Sequence, residues 1–154
     1  MSRILVLSDS HGYTGALSNI MMHAESMGHF DAAVHLGDGF YDMEPYQTLF
    51  PHVFQVPGNC DWRNTQEEPE LLIRLFAAPF FMCHGHTAHV KYTYSELCEK
   101  ARRRGAKIAL FGHTHVPTLE AQEGLLLLNP GPACEGRFGV LEITDAHTFN
   151  GRLY

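Results

Sequence analysis

Five short apolar runs in this chain each stop at aspartate, asparagine or histidine. Residues 3–7 lead into Ser8-Asp9-Ser10-His11, and residues 32–36 into Gly37-Asp38. Residues 52–56 lead into Pro57-Gly58-Asn59, 79–83 into His84-Gly85-His86, and 107–111 into Gly112-His113-Thr114-His115. A short apolar run bounded by turn residues and lacking polar alternation reads as a strand buried on both faces. In open α/β sheets, ligands gather at the carboxyl ends of the strands. Five such ends therefore put their polar residues around one crevice, and turn formation alone gives no reason for metal-ligand types to recur at all five.

The rest of the pattern sets the frame. Thr14 is a candidate cap for a helix with Leu17, Ile20, Met21, Ala24 and Met27 on one face and Gly28 at its end. Thr93-Tyr94-Ser95-Glu96 has the form of a capping box. It opens a second helix with Tyr94, Leu97, Cys98 and Ala101 on one face, closed by Gly105. Arg102, Arg103 and Arg104 in its last turn read as a solvated helix end that complements the dipole, in preference to an anion patch. Residues 71–76 form a strand ahead of 79–83, with Ala77-Ala78 as a turn, and strands at 118–121, 125–128, 138–143 and 152–154 follow. Strand and helix alternate in the first half, and strands follow one another in the second. The expected fold is α/β (α+β in some schemes): two packed mixed sheets flanked by helices. The length predicts a single domain over 1–154.

Charge and composition exclude several functions. With 17 acidic against 11 basic side chains and a net charge of -6, the chain is poorly suited to extended nucleic acid. The N-terminal apolar run is too short for a signal-peptide core, and no stretch approaches a membrane span. A cytoplasmic protein without a membrane partner is expected. Cys60, Cys83, Cys98 and Cys134 have no paired spacing and should be free thiols.

Asp9 and His11 are two apart, as are His113 and His115. In extended backbone such residues point the same way, so each pair can serve one site. Glycines at 37, 58, 85 and 112 clear space beside them. Carboxylate, imidazole and amide donors suit first-row divalent ions. Asp9, His11, Asp38, Asn59, His84, His113 and His115 are too many for one tetrahedral ion. They suffice for two ions sharing a carboxylate, ~3.5–4 Å apart, the arrangement that activates hydroxide and clamps a phosphoryl group. His86 adjoins the set and is placed to contact phosphate or protonate a leaving group. His23, His29, His35, His52, His89 and His147 fall outside it and read as structural, and Cys60 reads as a packing residue. Trp62 and Arg63 are equally assignable to the pocket lining or to the surface.

The ordered motifs DSH, GD, GN, HGH and GHTH resemble the calcineurin-like metallophosphoesterase superfamily. Pro57-Gly58-Asn59-Cys60-Asp61, Phe111-Gly112-His113-Thr114-His115 and Asn129-Pro130-Gly131 are similar to its small YfcE-like phosphodiesterase branch. The resemblance implies a four-layer sandwich and two divalent ions, manganese first, with nickel, iron, cobalt or zinc as alternatives. It assigns Asp9, His11 and His115 to the first ion, Asn59, His84 and His113 to the second, and Asp38 to both. Asp38 and Asn59, with His86 by its position beside the set, are the expected catalytic residues. The implied reaction is hydrolysis of a small or nucleotide-like phosphodiester by a hydroxide held between the ions. Homodimers are common in the branch. Three features depart from the family: Cys60 stands where the broader phosphatases carry histidine, Pro132 where a serine is usual, and the chain is short. A phosphomonoesterase or nucleotide pyrophosphohydrolase of the same superfamily is the alternative, and the missing histidine argues mildly against the monoesterase. A non-catalytic scaffold is the alternative of a different class, and it would have no need to keep aspartate, asparagine or histidine at all seven positions.

Overall fold

The structure is a computed structural model that describes residues 1–61 and 66–154. In chain order it comprises β1 (Ser2–Leu7), α1 (Thr14–Ser26), β2 (Ala32–His35), a 3-10 segment (Phe40–Leu49) and β3 (His52–Gln55). There follow β4 (Glu70–Ile73), β5 (Phe80–Cys83), a 3-10 turn (His86–Ala88), α2 (Ser95–Arg103) and β6 (Ile108–Leu110). The chain ends with β7 (Thr118–Gln122), β8 (Leu125–Asn129), a 3-10 turn (Ala133–Glu135), β9 (Gly139–Ile143) and β10 (Phe149–Leu153).

Two mixed five-stranded sheets pack together, in the orders β10-β9-β1-β2-β3 and β4-β5-β6-β8-β7. In the first, β1, β2 and β3 are parallel, so Leu7, His35 and Gln55 stand side by side. In the second, β5, β6 and β8 are parallel, aligning Met82, Leu110 and Leu128. These registers bring the loops that follow β1, β2 and β3 together, and likewise those that follow β5 and β6.

The apolar runs lack alternation because both faces of each sheet are covered. Ile4, Val6, Val34, Phe80, Met82, Ile108 and Leu110 fill the space between the sheets. Their neighbours Leu5, Leu7 and Ala33 face Leu17, Ile20, Met21 and Ala24 of α1. Phe81, Cys83 and Ala109 face Leu97, Cys98 and Ala101 of α2.

Several local expectations are corrected. Thr14 is the first helical residue, preceded by Tyr13, and no side chain caps α1. The capping box does not form. The Ser95 amide donates to Thr93 Oγ1 (3.3 Å), while Glu96 turns outward to His89 (2.8 Å) and Lys100 (3.6 Å). β4 stops at Ile73, and residues 74–79 connect it to its antiparallel partner β5. Residues 40–49, where no element is expected, form the 3-10 segment. It contains Pro45 and buries only Met43 fully, so no apolar stripe announces it. The three arginines at the end of α2 are engaged locally. Arg104 pairs with Glu70 (2.7 Å) and lies over Phe81, Arg103 pairs with Glu99, and Arg102 donates to the Gln122 carbonyl (2.8 Å). Among the described residues no helix is long and apolar enough to cross a membrane.

Candidate metal centre

The paired candidate ligands do not stand on extended backbone. Asp9, His11, Asp38, His113 and His115 have φ of 54°, 48°, 56°, 67° and 59°, all in the left-handed region. Each costs an L-residue roughly 1–2 kcal/mol, and the surrounding hydrogen bonds hold it. Asp9 N donates to the Gly37 carbonyl (2.9 Å) and His11 N to the Asp38 carbonyl (2.8 Å). Gly112 N donates to the His84 carbonyl (2.8 Å). The pairs converge because the chain coils tightly at every second residue. Gly112 is required by crowding: a Cβ there would run into Ser8 Oγ and the Asp9 carboxylate.

All seven side chains come together in two groups. In the first, Asp9 Oδ1 lies 3.6 Å from His11 Nε2 and 3.1 Å from His115 Nε2, and the two imidazole nitrogens are 3.4 Å apart. In the second, His84 Nε2 lies 3.3 Å from Asp38 Oδ2 and 3.0 Å from Asn59 Oδ1, with the His113 ring centroid 5.0 Å from that of His84. Asp38 Oδ2 is also 3.7 Å from His11, so this carboxylate stands between the groups. Donor atoms of Asp9, His11 and His115 fall within 4.8 Å of one another, as do those of Asp38, His84 and His113. His86 stands at the edge, its ring centroid 5.5 Å from His84 and 6.1 Å from His113.

The donor set fits a cation. Asp9 Oδ2 accepts from Ser8 Oγ (2.5 Å) and from the His113 amide (3.1 Å), whereas Oδ1 is buried with no hydrogen-bond partner. Such an orphaned acceptor is rare in a folded protein. His84 Nδ1 donates to the Leu36 carbonyl (2.7 Å), which leaves Nε2 facing only oxygen acceptors. That nitrogen requires a proton or a metal ion. Buried carboxylates are costly unless paired, and two of them share this site. Burial alone would raise the Asp38 pKa, but the hydrogen bond and charge of His84, with the Cys60 amide, hold it well below the usual carboxylate range. Burial and the neighbouring His84 charge lower His113 to about 4 and also lower His86.

His35, which reads as structural from the sequence, stands directly behind the candidate ligands. Its Nδ1 accepts from the Gly37 amide (3.2 Å) and its Nε2–H donates to Ser10 Oγ (2.9 Å). Ser10 in turn donates to Asp42 Oδ2 (2.6 Å), which also accepts the Gly12 amide (2.8 Å). A histidine inside the otherwise apolar run 32–36 was the available signal. Asn129 braces the other sheet, donating to the Gly112 carbonyl (3.1 Å) and Thr114 Oγ1 (3.0 Å). Pro132 opens the turn whose Ala133 and Cys134 amides donate to the Ser8 and Asp9 carbonyls (2.7 and 3.1 Å). Cys60 does not pack in the core. It is exposed, with Sγ in reach of His11 and Asp38. Trp62 and Arg63 lie outside the described residues. A hollow of about 450 Å³ between α1 and the 3-10 segment is lined by none of the seven candidate ligands.

Oxygen and imidazole donors this concentrated, set across the strand ends of two sheets, mark a protein of the divalent-metal class. Comparison narrows the class: the chain belongs to the calcineurin-like phosphoesterase superfamily, whose domain matches residues 2–147. It is 32% identical to a probable metallophosphoesterase, YsnB, from Bacillus subtilis, over 83% of this chain and 73% of that one. It is 23% identical to the phosphodiesterase MJ0936 of Methanocaldococcus jannaschii, over 86% of this chain and 84% of that one. A structure of a predicted phosphoesterase from Streptococcus pneumoniae superposes with a TM-score of 0.79 at 28% identity, covering 99% of this chain and 88% of that one. Vacuolar protein sorting 29 from Cryptosporidium parvum superposes equally well (0.79) at 16% identity, covering 99% and 96%, and so shares the fold. The family is metal-dependent, and the residue groups above are where this chain can bind metal.

Proposed function

We propose that this phosphoesterase-family chain is a phosphodiesterase that uses two divalent ions to hydrolyse small or nucleotide-like phosphodiesters. The observation that carries the reading is the pair of donor groups meeting at Asp38, with Asp9 Oδ1 left without a hydrogen-bond partner. Asp9, His11 and His115 hold one ion; Asn59, His84 and His113 hold the other; Asp38 serves both. When bound, such ions neutralise phosphoryl oxygens and lower the pKa of water.

The chain's own residues do the orienting. The Leu36 carbonyl fixes the His84 tautomer, and Ser8 with the His113 amide fixes Asp9. The Cys60 amide holds Asp38 Oδ1 (2.8 Å), leaving Oδ2 toward His11 and His84. His86 contacts the phosphate or hands a proton to the leaving group; its Nδ1 is buried without a partner. The phosphodiesterase from Methanocaldococcus jannaschii supports the diester assignment, as does the absence of histidine at position 60.

The test is turnover of aryl phosphodiesters against aryl phosphomonoesters by metal-stripped protein, with manganese, nickel, cobalt, zinc or magnesium restored singly. Metal-dependent diester cleavage is expected, with manganese the first candidate. His86→Ala should lower turnover by ~10²–10⁴ with metal content unchanged. Faster monoester cleavage would replace the diester reading. Absence of both metal uptake and turnover would leave the non-catalytic scaffold.

A further inference from the structure

Asp61 is a candidate ligand in neither group, yet its carboxylate has the densest set of hydrogen bonds around the site. Oδ2 accepts the Asp38 amide (2.7 Å) and the Gly58 amide (2.8 Å). Oδ1 accepts the Gly39 amide (3.0 Å) and the Phe40 amide (3.2 Å). Three consecutive N–H groups, at 38, 39 and 40, converge because Asp38 and Gly39 both have positive φ (56° and 140°). Successive amides turned inward in this way form a concavity that binds anions. Here the chain fills it with its own carboxylate. Those amides also lead the 3-10 segment Phe40–Leu49, for which Gly39 offers no capping side chain. The cap comes instead from the loop after β3.

The bonding runs in both directions. Asp61 accepts the Asp38 amide, and Asp38 Oδ1 accepts the Cys60 amide (2.8 Å). The loop carrying Asp38 and the loop carrying Asn59 are thereby locked face to face. Gly58 fits the lock closely, since a Cβ there would overlap the Asp38 carboxylate. Among the described residues, the Asp61 carboxylate makes no hydrogen bond to the loops of His11, His113 or His115. Its hydrogen bonds act directly on the loops of Asp38 and Asn59, and they reach the His11 group only through Asp38.

We infer that Asp61 is a positioning residue that sets Asp38 and Asn59 for the ion of the Asn59–His84–His113 group, and so controls occupancy of that ion in preference to the other. The inference rests on the two-ion reading above. It deepens that reading by assigning the selective loading of one ion to a residue that ligates neither.

The experiment uses the full chain, with Asp61→Asn as the mild variant and Asp61→Ala as the severe one. Asparagine keeps the size but turns an NH2 group toward amide donors. Metal-stripped proteins are titrated calorimetrically with manganese(II) and, separately, zinc(II), and metal content is measured after desalting. Wild type should take up two ions. Asp61→Asn should hold one ion near wild-type affinity and lose ~10–100-fold on the other, the usual range for a partner that orients a ligand. A readout independent of metal accompanies this: amide exchange at Asp38, Gly39, Phe40 and Gly58 in the stripped proteins should quicken in Asp61→Asn, while amides of β5 and β6 stay protected. Equal weakening of both ions, or wild-type affinity for both, overturns the inference and leaves the two-ion reading standing. Wild-type protein that takes up no ion removes the two-ion reading and this inference with it.

Discussion

His35 supplies no ligand atom, but the placement of the loops after β1 and β2 depends on it. Fully buried, it links the Gly37 amide to Ser10 and through Ser10 to Asp42. The chain of bonds has one consistent polarity, with Nδ1 accepting and Nε2 donating, so the ring is neutral. Burial lowers its pKa to about 4, against the opposing pull of the Asp42, Asp61 and Asp9 charges and with a small contribution from His84. The consequence for stability has a definite sign. Above the unfolded pKa of 6.5, His35 is neutral in both states and its contribution is complete. As pH falls from 6.5 toward about 4, the unfolded chain takes up a proton that the folded chain refuses, and stability is lost. At 1.36 kcal/mol per unit the loss is on the order of 3 kcal/mol. Urea unfolding of metal-stripped wild type and His35→Gln at pH 7 and pH 4.5 should show the wild type losing more stability on acidification. Parallel losses in the two proteins would assign the acid sensitivity elsewhere.

At the scale of elements, the crowded turn after β6 is the most sensitive. Gly112 lies against Ser8 and Asp9, in the loop that follows β1 of the other sheet. Gly112→Ala should cost at least the ~1–3 kcal/mol typical of overpacking and weaken metal uptake as well, because the displaced carboxylate is a proposed ligand. Thermal unfolding and metal content of the variant check this, and an unaltered metal content would show that Asp9 moves freely. The strands and the helix faces were readable from the chain because burial on both faces leaves continuous apolar runs, as in residues 3–7 and 107–111, and because Leu17, Ile20, Met21 and Ala24 keep helical spacing. The five strand ends showed which side chains could meet. The 3-10 segment was not readable, since Phe40–Leu49 has no apolar period and contains a proline. The Thr93 box failed because Glu96 has His89 and, one turn on along its own helix, Lys100 within reach and goes to them. Asp61 and His35 were passed over because their partners are mainly backbone amides and a serine, groups whose positions only the folded chain defines.

At the scale of the molecule, the two donor groups join the two sheets. Asp9, His11, Asp38 and Asn59 follow strands of the first sheet, and His84, His113 and His115 follow strands of the second. Each group draws on both: Asp9 and His11 with His115, Asp38 with His84 and His113. An ion in either group ties together residues far apart in sequence, such as His11 and His115, which are 104 positions apart. Ligands that bind only the folded state stabilise it by mass action, about 2.7 kcal/mol per site at a hundredfold excess over Kd. The melting temperature of metal-stripped protein should therefore climb with the logarithm of added manganese or zinc. A melting temperature indifferent to metal would show that the groups bind none in the folded state.

The left-handed backbone beneath Asp9, His11, Asp38, His113 and His115 also bears on which residues a lineage can place there. Glutamate and cysteine bind first-row ions as well as aspartate and histidine do. Aspartate, asparagine and histidine, however, are the non-glycine residues most at ease with positive φ. Two independent filters, one from coordination and one from torsion, thus pass the same short alphabet. A redesign that imports longer or softer ligands at these five positions would meet resistance from the main chain before the metal exerted any preference.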